Sequence, residues 1–129
     1  MPRPASSQPT EGELEILRVL WESGPSTARE IHNRLSETKD TNYSTTVKML
    51  TLMLKKGLVD RNRTARPQVF RAAETQRKTQ RQMLSHLIDK VYDGSAASLV
   101  LQALSSQEAS PEDLAEIREL IEELEGGGS

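Results

Sequence analysis

The chain contains no cysteine. That absence excludes disulfides, thiolate metal sites and a cysteine nucleophile, and it fits a reducing cytoplasm, the compartment we expect. Aromatic residues are nearly as scarce. Trp21, Tyr43, Phe70 and Tyr92 are the full set, so the core must be built from Leu, Ile, Val and Ala, and a ring-lined small-ligand pocket is disfavoured. No run approaches the roughly 18 apolar residues that span a bilayer, and the opening Met-Pro-Arg-Pro-Ala-Ser-Ser-Gln-Pro lacks the apolar segment of a signal peptide. His32 and His86 stand without a local carboxylate–histidine cluster, so no metal site is expected. Neither a phosphate-cradling glycine loop nor a Gly-x-Ser-x-Gly nucleophile motif occurs. The carboxylates from Glu112 to Glu125 read as a charged helix face. At 129 residues there is room for one domain with a smaller appendage, or for two small domains, but not for a typical enzyme with an enclosed cleft. We therefore expect no catalysis and no cofactor.

What is present is a separation of charge. Residues 1–93 carry 16 Lys+Arg against 11 Asp+Glu, a balance of +5, whereas residues 94–129 carry one Arg against 8 acids, a balance of −7. The basic part can meet phosphate; the acidic part repels it and must serve another purpose.

Residues 1–9, with three prolines and two serines, read as a disordered arm. Thr10 and Glu13 have capping-box spacing. Leu14, Leu17, Leu20 and Trp21 follow at helical spacing up to Gly24-Pro25. A second helix, starting near Ser26 or Thr27, turns Ala28, Ile31 and Leu35 inward. The third runs from about Tyr43 to Lys56, with Gly57 where a left-handed C-terminal residue belongs. Leu58–Thr64 and Gln68–Ala73 make a hairpin turning at Ala65-Arg66-Pro67. This order, helix then arginine-rich hairpin, is the reading half of a winged helix-turn-helix, and residues 10–73 are expected to form it. The fold class is mainly α with a small β-hairpin.

On a wheel of the third helix, Val47, Leu50 and Leu54 fall on Tyr43's side, and Thr45, Lys48, Met49 and Leu52 on the other. Recognition helices enter the major groove with their N-terminal turns. Ser44, Thr45, Thr46, Lys48 and Met49 are therefore the candidates there, with Arg61, Arg63 and Arg66 of the wing, and Lys55 and Lys56 just before it, as phosphate or minor-groove contacts from the hairpin side. Arg71 is expected to be a solvated hairpin residue, and Arg77, Lys78 and Arg81 fit phosphate contact and helix solubility equally. Double-stranded DNA is the expected partner; a winged helix that binds protein instead is the alternative.

Residues 74–125 change character. A helix from about Thr75 to Tyr92 carries Leu84, Leu87, Ile88 and Val91 on one face, and Asp93-Gly94-Ser95 breaks it. A short apolar helix follows, with Leu99 and Val100. Ser110-Pro111-Glu112-Asp113 opens the last helix with a cap, a proline at the first position and first-turn acids. Its Leu114, Ile117, Ile121 and Leu124 are spaced like a coiled-coil seam. Self-association into a homodimer is the economical way to cover these faces, folding back on the same chain being the alternative. Residues 126–129 read as a flexible tail.

The residues also resemble a known family. Glu13-Leu14-Glu15-Ile16-Leu17 through Val19-Leu20-Trp21-Glu22-Ser23-Gly24-Pro25 looks like the opening of the penicillinase-repressor family, the BlaI/MecI type. The likeness continues through Thr27-Ala28-Arg29-Glu30-Ile31, Thr45-Thr46-Val47-Lys48 and Lys55-Lys56-Gly57-Leu58-Val59. It resumes at Asp93-Gly94-Ser95 and Ser98-Leu99-Val100-Leu101 and ends in Glu116-Ile117-Arg118-Glu119-Leu120-Ile121, covering about residues 10–125. The resemblance implies a cytoplasmic homodimeric repressor that binds dyad operators of antibiotic-resistance and related genes. It further implies relief by cleavage in the dimerisation domain, set off by a membrane sensor of the metalloprotease type. The family's Asn-Phe cleavage pair falls here on Gln102-Ala103, a departure. Copper-responsive relatives carry a C-terminal cysteine cluster that this chain lacks, and the position of Leu52 tends to be basic in the resistance-gene repressors.

Overall fold

Short polar side chains set the helix boundaries. Thr10 Oγ1 accepts the Glu13 N–H at 3.2 Å and Glu13 Oε1 accepts the Thr10 N–H at 2.9 Å, closing the capping box that opens α1 (Glu11–Ser23). Thr27 and Glu30 repeat it at α2 (Ala28–Ser36). Asn42 Oδ1 accepts the Thr45 N–H at 2.9 Å to open α3 (Tyr43–Lys56), and Gly57 ends that helix with φ 77°, where a Cβ is disfavoured. The computed structural model describes residues 8–127, so most of the expected arm and the last two residues of the expected tail lie outside the described residues.

A three-stranded antiparallel sheet, β1 (Ser26–Thr27), β2 (Val59–Asn62) and β3 (Val69–Ala72), has the order β1-β3-β2. β2 and β3 form the expected hairpin, with Asp60 opposite Arg71 and Arg61 opposite Phe70. The two-residue β1 pairs Ser26 with Phe70. It is too short to show a period-two pattern, and only its neighbour β3 makes it a strand.

The core joins Ile16, Leu17 and Leu20 of α1, Ile31 and Leu35 of α2, Leu50 and Met53 of α3, and Val59 and Phe70 of the sheet. The chain divides between Met83 and Leu84 into two compact units. In the first, the Trp21 indole N–H donates to the Glu74 carbonyl at 3.0 Å, tying α1 to the segment that leads into α4 (Gln76–Val91). In the second, Asp93 and Gly94 take positive φ ahead of α5 (Ala96–Ser106), and a Ser110–Asp113 capping box opens α6 (Pro111–Gly126).

The rotation of α3 corrects the expected wheel. Thr46, expected to face outward, is buried at 1 % exposure, and Val47, expected inward, is 38 % exposed. Both assignments satisfy helical spacing with Leu50; polarity favoured Val47 as the inner residue. Packing favours Thr46, because its hydroxyl lies 3.1 Å from Nδ1 of His32 on α2, so the buried oxygen has a partner. His32 in turn reaches the Ser36 hydroxyl through Nε2 at 3.3 Å.

Glu13 links two ends of the unit. Only 4 % exposed, it accepts from Lys56 Nζ at 2.8 Å while closing the α1 capping box. Burial alone pushes its carboxyl pKa up; the Lys56 hydrogen bond and charge, together with Thr10, outweigh burial and hold it below the usual 4.5.

Two stability measurements follow from these contacts. Thr46→Ala removes a methyl and the hydroxyl that partners Nδ1 of His32, so urea unfolding should show a loss of about 1–2 kcal/mol. Glu13→Gln should lose about 1–2 kcal/mol at pH 7, since a charged hydrogen bond becomes a neutral one. Because the carboxyl's pKa is lower folded than unfolded, its contribution is complete above about pH 4.5 and is lost as the pH falls through the depressed folded value. The stabilities of Glu13→Gln and the parent should therefore differ at neutral pH and converge in acid.

Candidate nucleic-acid interface

With Thr46, Leu50 and Met53 buried, the outer side of α3 presents Ser44, Thr45, Val47, Lys48, Thr51, Leu52 and Lys55, all exposed. Ser44, Lys48, Thr51 and Lys55 lie along its middle at three- and four-residue steps. The hydroxyl protons on this face are committed within the chain. Ser44 Oγ and Thr45 Oγ1 each donate to Asn42 Oδ1 at 2.8 Å, and Thr51 Oγ1 donates to the Val47 carbonyl at 3.0 Å. These hydroxyls therefore offer lone pairs outward, and Lys48 and Lys55 are the face's donors. Met49, expected on this face, is half-buried and packed on the core; a Cβ placed on Gly12 of α1 would meet its Cε at 2.8 Å. Its long unbranched side chain fills the α1–α3 gap, so it is not available to a groove.

The hairpin tip is ordered by local bonds. Asn62 Oδ1 accepts both the Thr64 N–H at 3.0 Å and the Thr64 hydroxyl at 2.7 Å, and Arg66 Nη1 donates to the Arg63 carbonyl at 3.4 Å. Arg61, Arg63 and Arg66 are exposed. Arg71 pairs across the strands with Asp60 at 3.8 Å, in keeping with a solvated hairpin face.

The distribution of ion pairs sharpens this picture. Lys39 holds Glu15 at 2.9 Å, Arg34 lies 3.8 Å from Glu22, Lys56 is bound to Glu13, and Lys78 reaches Glu74 at 3.1 Å. Among the described residues, Lys48, Lys55, Arg61, Arg63 and Arg66 make no such pair. The cations left without carboxylates there thus include these five, together with Arg18, Arg29, Arg77, Arg81, Lys90 and Arg118, whereas Lys56, expected beside Lys55 just before the wing, is taken up by Glu13.

One member of this surface escaped the sequence reading. The Arg29 guanidinium stacks 3.9 Å from the centre of the Tyr43 ring, which in turn meets the His32 ring edge-on at 5.6 Å. The stack leaves the guanidinium N–H edges free beside the start of α3. Arg29 and Tyr43 are 14 positions apart on different helices, so no local spacing could have joined them.

In the second unit, Leu84, Leu87, Val91, Val100, Ile121 and Leu124 are exposed, and Ile88, Leu99, Leu114 and Ile117 are half-buried. None of the described residues after Met83 is fully buried. Leu101 and Leu120, 70 % and 54 % exposed, add to these faces and were missed because they fall beside the apolar spacing rather than on it. Gln102 and Ala103 are exposed but lie inside α5, where the Gln102 carbonyl accepts from the Ser105 and Ser106 hydroxyls at 3.2 and 2.6 Å. No helix among the described residues is long and apolar enough to cross a membrane.

Comparison with known proteins agrees with this arrangement. Residues 9–123 match the family described as Penicillinase repressor. The chain is 26 % identical over 117 residues to the penicillinase repressor of Bacillus licheniformis, covering 90 % of this chain and 91 % of that protein. It is 23 % identical over 112 residues to the methicillin resistance regulatory protein MecI of Staphylococcus aureus (strain N315), covering 87 % and 91 %. The MecI protein of Mammaliicoccus sciuri is 22 % identical over the same shares. With a helix-turn-helix carrying a basic hairpin, a helical second unit with exposed apolar side chains and a match over nearly the whole length, the chain belongs to the penicillinase repressor family, a family of regulators rather than enzymes.

Proposed function

We propose that the chain is a cytoplasmic transcriptional repressor that binds a dyad DNA operator as a homodimer. Each protomer applies α3 to the major groove and the hairpin to the flanking backbone. The observation that supports this reading is the set of exposed cations on α3 and the hairpin, Lys48, Lys55, Arg61, Arg63 and Arg66. Those cations lack carboxylate partners among the described residues, while Arg34, Lys39, Lys56, Arg71 and Lys78 are paired. Ser44 and Thr45 add acceptors at the helix start, and Arg29 adds a pre-positioned guanidinium suited to a phosphate. The relatives' names support genes of antibiotic resistance as the regulated class.

Dimerisation is supported by the second unit, whose apolar side chains remain uncovered within one chain. Relief by proteolysis, with a membrane sensor protease as the partner, completes the reading. Cutting Gln102–Ala103 requires α5 to open first, because a protease takes an extended peptide and this bond is helical.

Gel-shift titrations test the DNA surface. Affinity should fall steeply with salt, since several phosphates are neutralised per protomer. Lys48→Ala should weaken operator binding by about 1–3 kcal/mol, more on operator than on random duplex if Lys48 meets a base. Arg63→Ala and Arg66→Ala should weaken binding to every sequence alike and flatten the salt dependence. Unchanged affinity in all three variants would show that this surface does not bind DNA and would favour a protein partner.

Sedimentation tests the dimer. In the full chain, Ile121→Asp with Leu124→Asp places two charges on residues 46 % and 72 % exposed, which a folded protomer tolerates. The double variant should run as a monomer and lose most of its affinity for a two-half-site operator, because linked half-sites gain from effective concentration. A variant that still sediments as a dimer would move the interface elsewhere.

A further inference from the structure

Two large apolar side chains stand on the otherwise polar outer face of α3: Val47 is 38 % exposed and Leu52 is 47 % exposed. An exposed valine is unfavourable twice over, because it leaves apolar surface in water and because its β-branch lowers helix propensity. Val47 keeps more than a third of its surface in water, while the core takes Thr46, Leu50 and Met53 from this helix instead. A local rule broken without a local gain points to a ligand.

The surroundings of Val47 narrow that ligand. It shares the first two turns of α3 with Ser44, Thr45 and Lys48. The Ser44 and Thr45 hydroxyl protons are held by Asn42, and that of Thr51 by the Val47 carbonyl itself. What this stretch offers a duplex is therefore one cation, a few lone pairs and the two Val47 methyls. In the major groove, the apolar group presented by a base edge is the C5-methyl of thymine. A helical valine holds one χ1 rotamer about 90 % of the time, so its methyls lose little freedom on contact.

We propose that Val47 is a specificity-determining residue that selects a thymine in each operator half-site by packing against its C5-methyl. This rests on the reading of the chain as a DNA-binding repressor and deepens it. Leu52 lies five residues further, about 7.5 Å along the axis, past the turns that approach the bases, and does not share the role.

The test uses the intact protein and duplexes that it selects from a randomised pool. Each thymidine of the selected half-site is replaced in turn by deoxyuridine, which removes the methyl and keeps the base pair. At one position binding should weaken about fourfold, the worth of one buried methyl-sized group. Val47→Ala should bind the thymine duplex about fourfold more weakly and become indifferent to uracil at that position, while Leu52→Ala keeps the uracil penalty. The proposal is overturned if no uracil replacement weakens binding, if the penalty persists undiminished in Val47→Ala, or if Leu52→Ala abolishes it instead. Circular dichroism and low-salt binding to unselected duplex confirm that the variants are folded. Selection of a sequence without any uracil effect sinks the Val47 assignment alone. Failure of the intact chain to bind any duplex sinks the DNA-binding reading with it.

Discussion

Thr46, Leu50 and Met53 enter the same core from α3, and their burial fixes the rotation of that helix about its axis. A turn of about 100°, one residue's worth, would exchange Thr46 for Val47 and carry Lys48 toward the hydrophobic interior. The hydrogen bond between Thr46 and His32 opposes that exchange at the N-terminal end of the helix. Lys56 opposes it at the other end, held by a carboxylate that also caps α1. The presented face is thus defined by what the core accepts, and the surface chemistry of Ser44, Thr45, Lys48 and Lys55 follows from interior packing.

Charge pairing then removes Arg34, Lys39, Lys56, Arg71 and Lys78 from the cations offered to a partner. Exposed ion pairs such as Lys39–Glu15 contribute little to stability. Their larger effect is to reduce the positive field around the cations they hold. Where carboxylates are lacking, on the outer side of α3 and around the hairpin tip, the positive potential remains and can steer a polyanion at a distance set by ionic strength. Residues 94–129, with a balance of −7, carry a field of the opposite sign.

Much of this was legible before the structure. The Thr10–Glu13 box, the Ser110-Pro111 opening, the Gly57 terminus and the arginine-rich hairpin are local signals, each carried by residues within a few positions of one another, and each predicted its element. Long-range features were not legible. β1 exists only through β3. Arg29 meets Tyr43 only because α2 and α3 pack side by side. The exchange of Thr46 for Val47 turned on a partner 14 residues away, and Met49 was placed outside because its contact with Gly12 depends on the closeness of α1. Spacing alone identifies a helix and leaves its rotation ambiguous when polar and apolar residues alternate at the boundary of its inner face.

The second unit poses the opposite problem, since its helices are well signalled and its core is missing. Capping residues and a proline at the first position start α5 and α6, yet no residue after Met83 is fully buried among those described. Helices of this length draw most of their stability from packing an apolar face rather than from propensity. Burying what remains exposed of Leu101, Leu120 and Leu124, each more than half exposed, contributes about 1–2 kcal/mol apiece, against an association cost of roughly 4–15 kcal/mol. In a two-fold pair each residue counts twice, so three leucines per chain bring the gain into the range of that cost, and Val91 and Val100 extend it. A surface covered by a second copy of the same chain forms an isologous interface, in which each such leucine meets its partner's surface under two-fold symmetry.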